Sequence, residues 1–167
     1  MNNKYFEDEV FAAVEKLHTK IETEQKQNPY GVPYEPVVWG AGWKIQRFGV
    51  EQYYLQKGFP EIFDATYMLN AMNFVLGCHP GENTASFASG VGSNSVTVAY
   101  GVNRADWSFI PRGVASGTAL IRPDYPELKE WPFFWQQTEY VMGGGASNFM
   151  FLVLAADAAF NAKSVKK

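Results

Sequence analysis

The sequence predicts an all-α chain whose helices are joined by long loops. Two observations support this fold class. Apolar residues recur at spacings of three and four in several segments, as on one face of an α-helix. Between these segments, residues 81–126 lose the helical period and are rich in Gly, Ser and Asn. Such long loops do not fit a closed four-helix bundle, so we expect another helical architecture.

The first helix is predicted over residues 5–26. The Asn-Pro-Tyr-Gly-Val-Pro run at 28–33 ends it, because Pro and Gly interrupt helical backbone. Ten charged residues lie within the first thirty, so most of the surface of this helix is expected to face water. Five apolar residues define its inner face: Phe6, Val10, Val14, Leu17 and Ile21.

The second and third helices are predicted from their apolar residues and from the signals that stop them. The second covers residues 44–56 and ends at Gly58. The third begins just after Pro60 and runs to Leu76. Gly77 ends it, and a proline three residues later prevents its continuation.

The last helix is predicted over residues 147–162. Its apolar residues lie nearly all round the helix, and a helix of this kind is expected to be buried. A short strand is predicted over 95–100 in the loop region before it. Loops of this length that lack regular structure are often functional, so we expect residues 81–126 to contribute to a site.

The composition is that of one folded domain. The chain has 167 residues, of which 47% are hydrophobic, 16% aromatic and 19% charged, so it can bury a core and is not intrinsically disordered. Its longest apolar run, 149–156, is far shorter than the roughly 20 residues that cross a bilayer. The net charge of −3 and the absence of a basic stripe argue against a nucleic-acid partner.

The cysteine and the histidines offer no metal site, and no cofactor is expected. Cys78 is the single cysteine, which excludes an intrachain disulfide and a Cys-rich zinc site. His79 is adjacent to it, and neighbours in sequence seldom face each other as a nucleophilic pair. His18 lies on the charged first helix and is expected to be solvated. The chain does not open on a signal-peptide pattern, and the sequence leaves its localisation open.

Glu139 is the single charged residue in the stretch 131–156. Apolar surroundings disfavour the ionised form of a carboxyl group, and a carboxyl that stays protonated can donate its proton to a leaving group. Glu139 is therefore the candidate general acid. The alternative is a structural carboxylate that caps a helix or pairs with Arg104, Arg112 or Arg122.

Two aromatic segments are candidates for binding a sugar. One places Arg104, Asp106 and Trp107 close together in a nearly uncharged loop, where they can hydrogen-bond hydroxyl groups and stack on a ring. The alternative is a loop-stabilising ion pair beside a buried indole. In the other segment, Trp39 and Trp43 flank Gly-Ala-Gly, and their flat faces suit a pyranose ring or the packing of a core.

Residues 143–145 are three successive glycines. They form either a loop before a helix capped by Ser147 or a place where the backbone closely approaches a ligand. No Lys-Ser or Lys-Thr pair follows them, so a phosphate-binding loop is not expected.

Several motifs in this chain share their order and spacing with a known family. Residues 70–80 read Asn-Ala-Met-Asn-Phe-Val-Leu-Gly-Cys-His-Pro, and residues 86–92 read Ser-Phe-Ala-Ser-Gly-Val-Gly. An Asn-Pro-Tyr-Gly run at 28–31 and a Trp-Gly pair at 39–40 precede them. Together they resemble motifs of the family 9 glycoside hydrolases, which include cellulases and endoglucanases.

The resemblance is strongest over residues 28–159 and covers the C-terminal third of that family's catalytic domain. A Gly-Thr-Ala-Leu-Ile-Arg-Pro-Asp run at 117–124 is similar to a further family segment, and Glu139 stands where the family has its proton-donating glutamate. The resemblance implies a partial (α/α)6 barrel of C-terminal helices and the inverting hydrolysis of a β-linked glycan such as β-glucan. Members of the family are often secreted or periplasmic.

The resemblance also implies partners and a substrate cleft. The partners would be an oligo- or polysaccharide and the remaining N-terminal part of the barrel, without nucleic acid or membrane. The candidate cleft residues are Trp39, Trp43, Arg104, Asp106, Trp107 and Tyr140.

The sequence departs from the family in ways that matter for catalysis. The family's water-activating aspartates lie in a Gly-Asp-type motif that this chain lacks; the aspartates of this chain stand in other contexts, and they are Asp64, Asp106, Asp124 and Asp157. An Asn-Arg pair at 103–104 stands in place of the family's His-Arg segment. The sequence therefore favours an enzyme part that supplies the general acid. The alternative is a non-catalytic glycan-binding or assembly module that lacks the catalytic base.

Overall fold

A computed structural model describes residues 3–34, 41–81, 84–95, 111–115 and 144–164. These residues are mostly helical, so the prediction of an all-α chain is confirmed at this level. A pair of two-residue strands accompanies the helices, and the two strands pair in parallel. The elements are α1 (Asn3–Gln25), α2 (Ala41–Gly58), α3 (Thr66–Val75), β1 (Ala85–Ser86), β2 (Asn94–Ser95) and α4 (Gly144–Ser164).

The helices α2, α3 and α4 pack against one another, and Gly49 of α2 lies where they meet. A Cβ atom on Gly49 would stand 2.8 Å from the Cβ of Ala71 on α3 and 2.8 Å from Cδ2 of Leu152 on α4. Only a residue without a side chain allows this approach. The buried residues that surround the contact are Met68, Met72, Leu152, Ala155 and Ala156.

The inner face predicted for α1 is buried only in part. Val14 and Ile21 form a core cluster with Phe63 and Tyr67. In contrast, the side chain of Phe6 is 65% exposed. The helix therefore packs through its central and C-terminal turns, while its first turns project beyond this cluster.

The helix α3 begins later than predicted, at Thr66. The residues after Pro60 form a turn in which the N–H groups of Ile62 and Phe63 both donate to the carbonyl of Phe59. The Asp64 carboxylate then accepts the backbone N–H of Thr66 at 2.7 Å. A short acidic side chain that bonds to the backbone two residues on favours a turn over helix, which explains the later start.

The helix α4 differs from its prediction in two ways. It begins at Gly144, so two of the three glycines lie inside its first turn. It is also not buried: Leu152 is fully buried, but Leu154 is 68% exposed and Phe160 is 61% exposed. The prediction that this apolar helix is buried is wrong for the described chain, because α2 and α3 cover only one side of it.

A third cluster of buried residues lies where the third helix ends. It joins the turn after α1 to the inner faces of α2 and α3, and to the segments 84–95 and 111–115. Its members are Tyr30, Val32, Tyr34, Ile45, Ala71, Phe74, Val75, Phe87 and Ala115. We call this group the aromatic cluster. Among the described helices, none combines the length and the apolar character that a membrane crossing requires.

Candidate functional site

The Asn-Pro-Tyr-Gly run forms a turn that is held by its own asparagine. The Oδ1 atom of Asn28 accepts the backbone N–H of Tyr30 at 2.9 Å, and its Nδ2 donates to the carbonyl of Val32 at 2.8 Å. Gly31 has a φ of 69°, a left-handed conformation that glycine adopts without steric cost. The run therefore fixes the direction in which the chain leaves α1.

This turn docks on α3 through polar and aromatic contacts. Asn70 Nδ2 donates to the carbonyl of Gly31 at 3.0 Å. The ring of Tyr30 meets the rings of His79 and Phe74 edge to face, with centroid distances of 4.6 Å and 5.2 Å. Two of the motifs that carry the family resemblance, at 28–31 and 70–80, are thus in direct contact.

The Ser-Phe-Ala-Ser-Gly-Val-Gly motif packs against the end of α3. The N–H of Phe87 donates to the carbonyl of Val75 at 2.9 Å. The Ser86 hydroxyl is buried and lies 2.7 Å from the carbonyl oxygen of Val91. A Cβ atom at Gly92 would overlap the carbonyl oxygen of Leu76. The glycine at this position therefore lets the loop return close to the end of the helix.

Residues 111–115 extend this packing by backbone hydrogen bonds. The N–H of Arg112 donates to the carbonyl of Ser89, and the N–H of Ala115 donates to that of Phe87, at 2.9 Å and 2.8 Å. The side chains of Asn28, Asn70 and Ser86 also form hydrogen bonds that hold these segments together. These motif residues act as a scaffold for neighbouring segments.

Trp43 is the candidate sugar-binding residue that lies within the described chain. It is half-buried on α2, and its indole ring packs against α4 so closely that a Cβ atom on Gly145 would lie 2.6 Å from its Cδ1. This contact favours the packing interpretation of Trp43. It also accounts for the glycine run, because the first turn of α4 needs a residue without a side chain here.

The other candidate residues lie outside the described residues. They are the general-acid candidate Glu139 and the cleft candidates Trp39, Arg104, Asp106, Trp107 and Tyr140.

Some of the described residues that lie near these candidates in sequence belong to the aromatic cluster or pack against it. Tyr34, which precedes 35–40, and Ala115, which precedes 116–143, are members of it. Phe149, in the first turns of α4, packs against it. Burial, with a smaller effect of Tyr30, raises the pKa of the Tyr34 phenol above its ordinary range. Segments 35–40 and 116–143 therefore each follow a residue of this well-packed cluster.

A second concave region lies between α1 and the chain leading into α3. It is a cavity of about 390 Å³. His18 lines it and is half-buried, with its Nε2 3.3 Å from the Tyr67 hydroxyl. The expectation that His18 is solvated is therefore wrong. The sequence contained the signal, because His18 lies four residues after Val14 and three before Ile21 and so shares their buried face.

The described residues contain no candidate metal site. Among them, no three His, Cys, Asp or Glu side chains are grouped so that they could hold a metal ion. Cys78 is exposed there and forms no disulfide.

The comparisons with known proteins identify no relative. No family model, no curated protein and no solved structure matches this chain.

Proposed function

We propose that this chain is part of an inverting glycoside hydrolase similar to family 9, and that it supplies the general acid. The observation that carries the proposal is the packing of the resemblance motifs. The runs at 28–31, 70–80 and 86–92, although separated in sequence, form one hydrogen-bonded cluster. In a common architecture, here the proposed (α/α)6 barrel, we expect motifs that share the family's order to pack around one centre. The packing of these three motifs supports the proposal in this way.

In the proposed mechanism Glu139 is the general acid. Its neutral carboxyl group would protonate the glycosidic oxygen as the bond to the sugar breaks, while a second carboxylate activates the attacking water. In inverting enzymes the two carboxyl groups stand roughly 6.5–9.5 Å apart to admit that water. The sequence lacks the family's base motif, so the base would come from the N-terminal part of the barrel.

The proposed substrate is a β-linked glycan such as β-glucan. Aromatic side chains present flat apolar faces with polar edges and so suit the alternating character of a pyranose ring. In this proposal Trp39, Trp107 and Tyr140 contact sugar rings, and Arg104 and Asp106 bond to hydroxyl groups. Trp43 supports them by packing against α4.

The test is the substitution Glu139→Gln in an enzyme that contains the complete barrel. It removes the acidic proton and keeps the shape of the side chain, so turnover should fall by about 100-fold or more while the affinity for glycan is retained. The control is Glu15→Gln, an equal change on an exposed site of α1, which should leave turnover unchanged. Near-normal turnover of the Glu139→Gln variant would contradict the assignment.

A second proposal is a glycan-binding or assembly module without catalysis. It is favoured by the missing base motif and by the exposed apolar residues of α4, which would pack against the rest of a barrel. The isolated 167-residue chain separates the proposals. Binding of β-glucan without hydrolysis favours the glycan-binding module. A chain that is monomeric at high concentration by light scattering argues against the assembly role, and hydrolysis by the chain alone shows that the base is present.

A further inference from the structure

His79 closes a turn that follows the end of α3. Its Nδ1 atom accepts the backbone N–H of Gly81 at 3.1 Å, with Pro80 between the two residues. An imidazole nitrogen that accepts a hydrogen bond carries no proton, so the proton of the neutral ring lies on Nε2. His79 is half-buried and Gly81 is buried. The turn therefore depends on a histidine in its neutral form.

The same turn occurs earlier in the chain with an amide in place of the imidazole. The Oδ1 atom of Asn28 accepts the N–H of Tyr30 at 2.9 Å, and Pro29 lies between them. In both turns, a side chain that precedes a proline bonds to the backbone N–H two residues on. An amide keeps its protonation state in acid, whereas an imidazole ordinarily takes up a proton near about pH 6.5. The two turns are therefore expected to differ in their response to acid.

The ring of His79 packs on the aromatic cluster. It meets Tyr30 edge to face at a centroid distance of 4.6 Å, and it stacks on Phe74 at 5.9 Å with 26° between the ring planes. The face of Phe74 would favour a charged imidazolium. However, a proton on Nδ1 would leave the buried N–H of Gly81 without its acceptor, and the loss of a buried hydrogen bond outweighs an aromatic contact of this kind. The packed cluster therefore favours the neutral ring.

Among the described residues around this ring, the titratable groups are two phenols and a thiol. The phenols are those of Tyr30 and Tyr34, whose rings contact each other, and the thiol is that of the exposed Cys78. Phenols and thiols are ordinarily neutral in acid. The helix α3 has no charged side chain. The described segments that pack on its end add one, that of the exposed Arg112, and a guanidinium keeps its charge throughout this range.

We propose that His79 is a pH-sensitive switch between the end of α3 and the segment that follows it. A proton from the solvent binds to Nδ1, breaks the hydrogen bond with Gly81 and opens the turn. The segment 84–95, which bonds to the helix through the N–H of Phe87 and the carbonyl of Val75, is then held less firmly. The switch is independent of the proposed glycosidase function, so either proposal can fail without the other.

The test is an NMR titration of the ¹⁵N-labelled 167-residue chain from about pH 8 to about pH 5. At the start, the ring of His79 should have a proton on Nε2 and none on Nδ1. As the pH falls, Nδ1 should gain a proton, and the amide proton of Gly81 should shift upfield in the same step because its hydrogen bond is lost. A proton on Nδ1 at the start, or a Gly81 signal that does not follow the ring, overturns the proposal.

Two variants separate His79 from the other histidine. In His79→Asn, the amide oxygen can accept the N–H of Gly81 as Asn28 accepts that of Tyr30, so the Gly81 shift should no longer titrate. The matched control is His18→Asn, in which the Gly81 titration should persist. Loss of the titration in both variants, or in neither, contradicts the assignment to His79.

Urea denaturation gives a second measurement. The unfolded chain takes up the proton of His79 more readily than the folded protein, so this histidine stabilises the fold above about pH 6.5 and the stabilisation is lost as the pH falls. Between about pH 7.5 and about pH 5.5, the equilibrium constant for unfolding should rise more in the parent chain than in His79→Asn, by up to about tenfold. An equal rise in both chains is the result that argues against the switch.

Discussion

Replacing Gln46 with methionine is expected to raise the free energy of unfolding by about 1–3 kcal/mol. Gln46 lies on α2 and is fully buried. Neither its Nε2 nor its Oε1 has a hydrogen-bond partner in the part of the chain that the structure describes. A buried polar group without a partner costs about 1–3 kcal/mol. Methionine has nearly the same length and helix propensity, so the change removes this cost and alters the packing little.

Urea denaturation followed by circular dichroism measures the effect. The Gln46→Met variant should have a higher midpoint and an unchanged slope, since the surface exposed on unfolding stays the same. The control is Gln56→Met, a half-buried site on the same helix, where the change should be within about 0.5 kcal/mol. If Gln46→Met loses stability relative to this control, the reasoning is refuted, because the amide must then be hydrogen-bonded within the fold.

Two further predictions concern close packing and pH. Gly49→Ala should lower the melting temperature, with a loss of about 1–3 kcal/mol, because its Cβ would press on that of Ala71; Gly58→Ala, where nothing lies within 4 Å, is the control, and equal effects would contradict the argument. The raised pKa of Tyr34 means that the unfolded chain loses this proton first. Its contribution to stability is therefore complete below about pH 10 and is lost as pH rises above that value. Urea titrations at about pH 9 and at about pH 11 give the fall in the free energy of unfolding between these two pH values. This fall should be smaller for the Tyr34→Phe variant than for the parent chain. An equal fall in both would show that the phenol does not titrate with unfolding.

The helices could be predicted from the sequence because their apolar spacing is a local signal. The later start of α3 depends on the local hydrogen bond from Thr66 to Asp64, but other bounds depend on contacts that are distant in sequence. The start of α4 at Gly144 is an example: three glycines favour a loop, but the indole of Trp43, about a hundred residues earlier in the chain, occupies the space beside Gly145. Local propensity is weak compared with such a tertiary contact.

The exposure of α4 shows a limit of predicting burial from composition. Its composition is apolar on nearly every side, and this predicts a helix surrounded by protein. In the described chain only the side with Leu152, Ala155 and Ala156 is covered, while Met150 and Leu154 are exposed. An apolar composition indicates that a helix surface is suited to burial, but it does not indicate which elements pack against that surface. Packing of this kind is decided by the tertiary and quaternary structure.

Some features of the candidate sites could be found in the sequence, and others could not. The motifs at 28–31, 70–80 and 86–92 could be found in the sequence because each is a continuous run. The cavity beside His18 could not, because Tyr67 and Asp64 reach it only after α3 has packed on α1. A site assembled from single residues on separate elements leaves no continuous pattern in the sequence.

The hydrogen bonds of the aromatic cluster have a practical consequence for changing this protein. Asn28 and Asn70 bond to backbone carbonyls inside the cluster, and residues 111–115 are held by backbone groups of the 86–92 motif. These bonds do not depend on the sequences that run between the anchoring residues. Residues 35–40, 96–110 and 116–143 can therefore be exchanged for other sequences between the anchoring residues. The cluster is a platform on which libraries of replacement segments can be grafted to select a new ligand specificity.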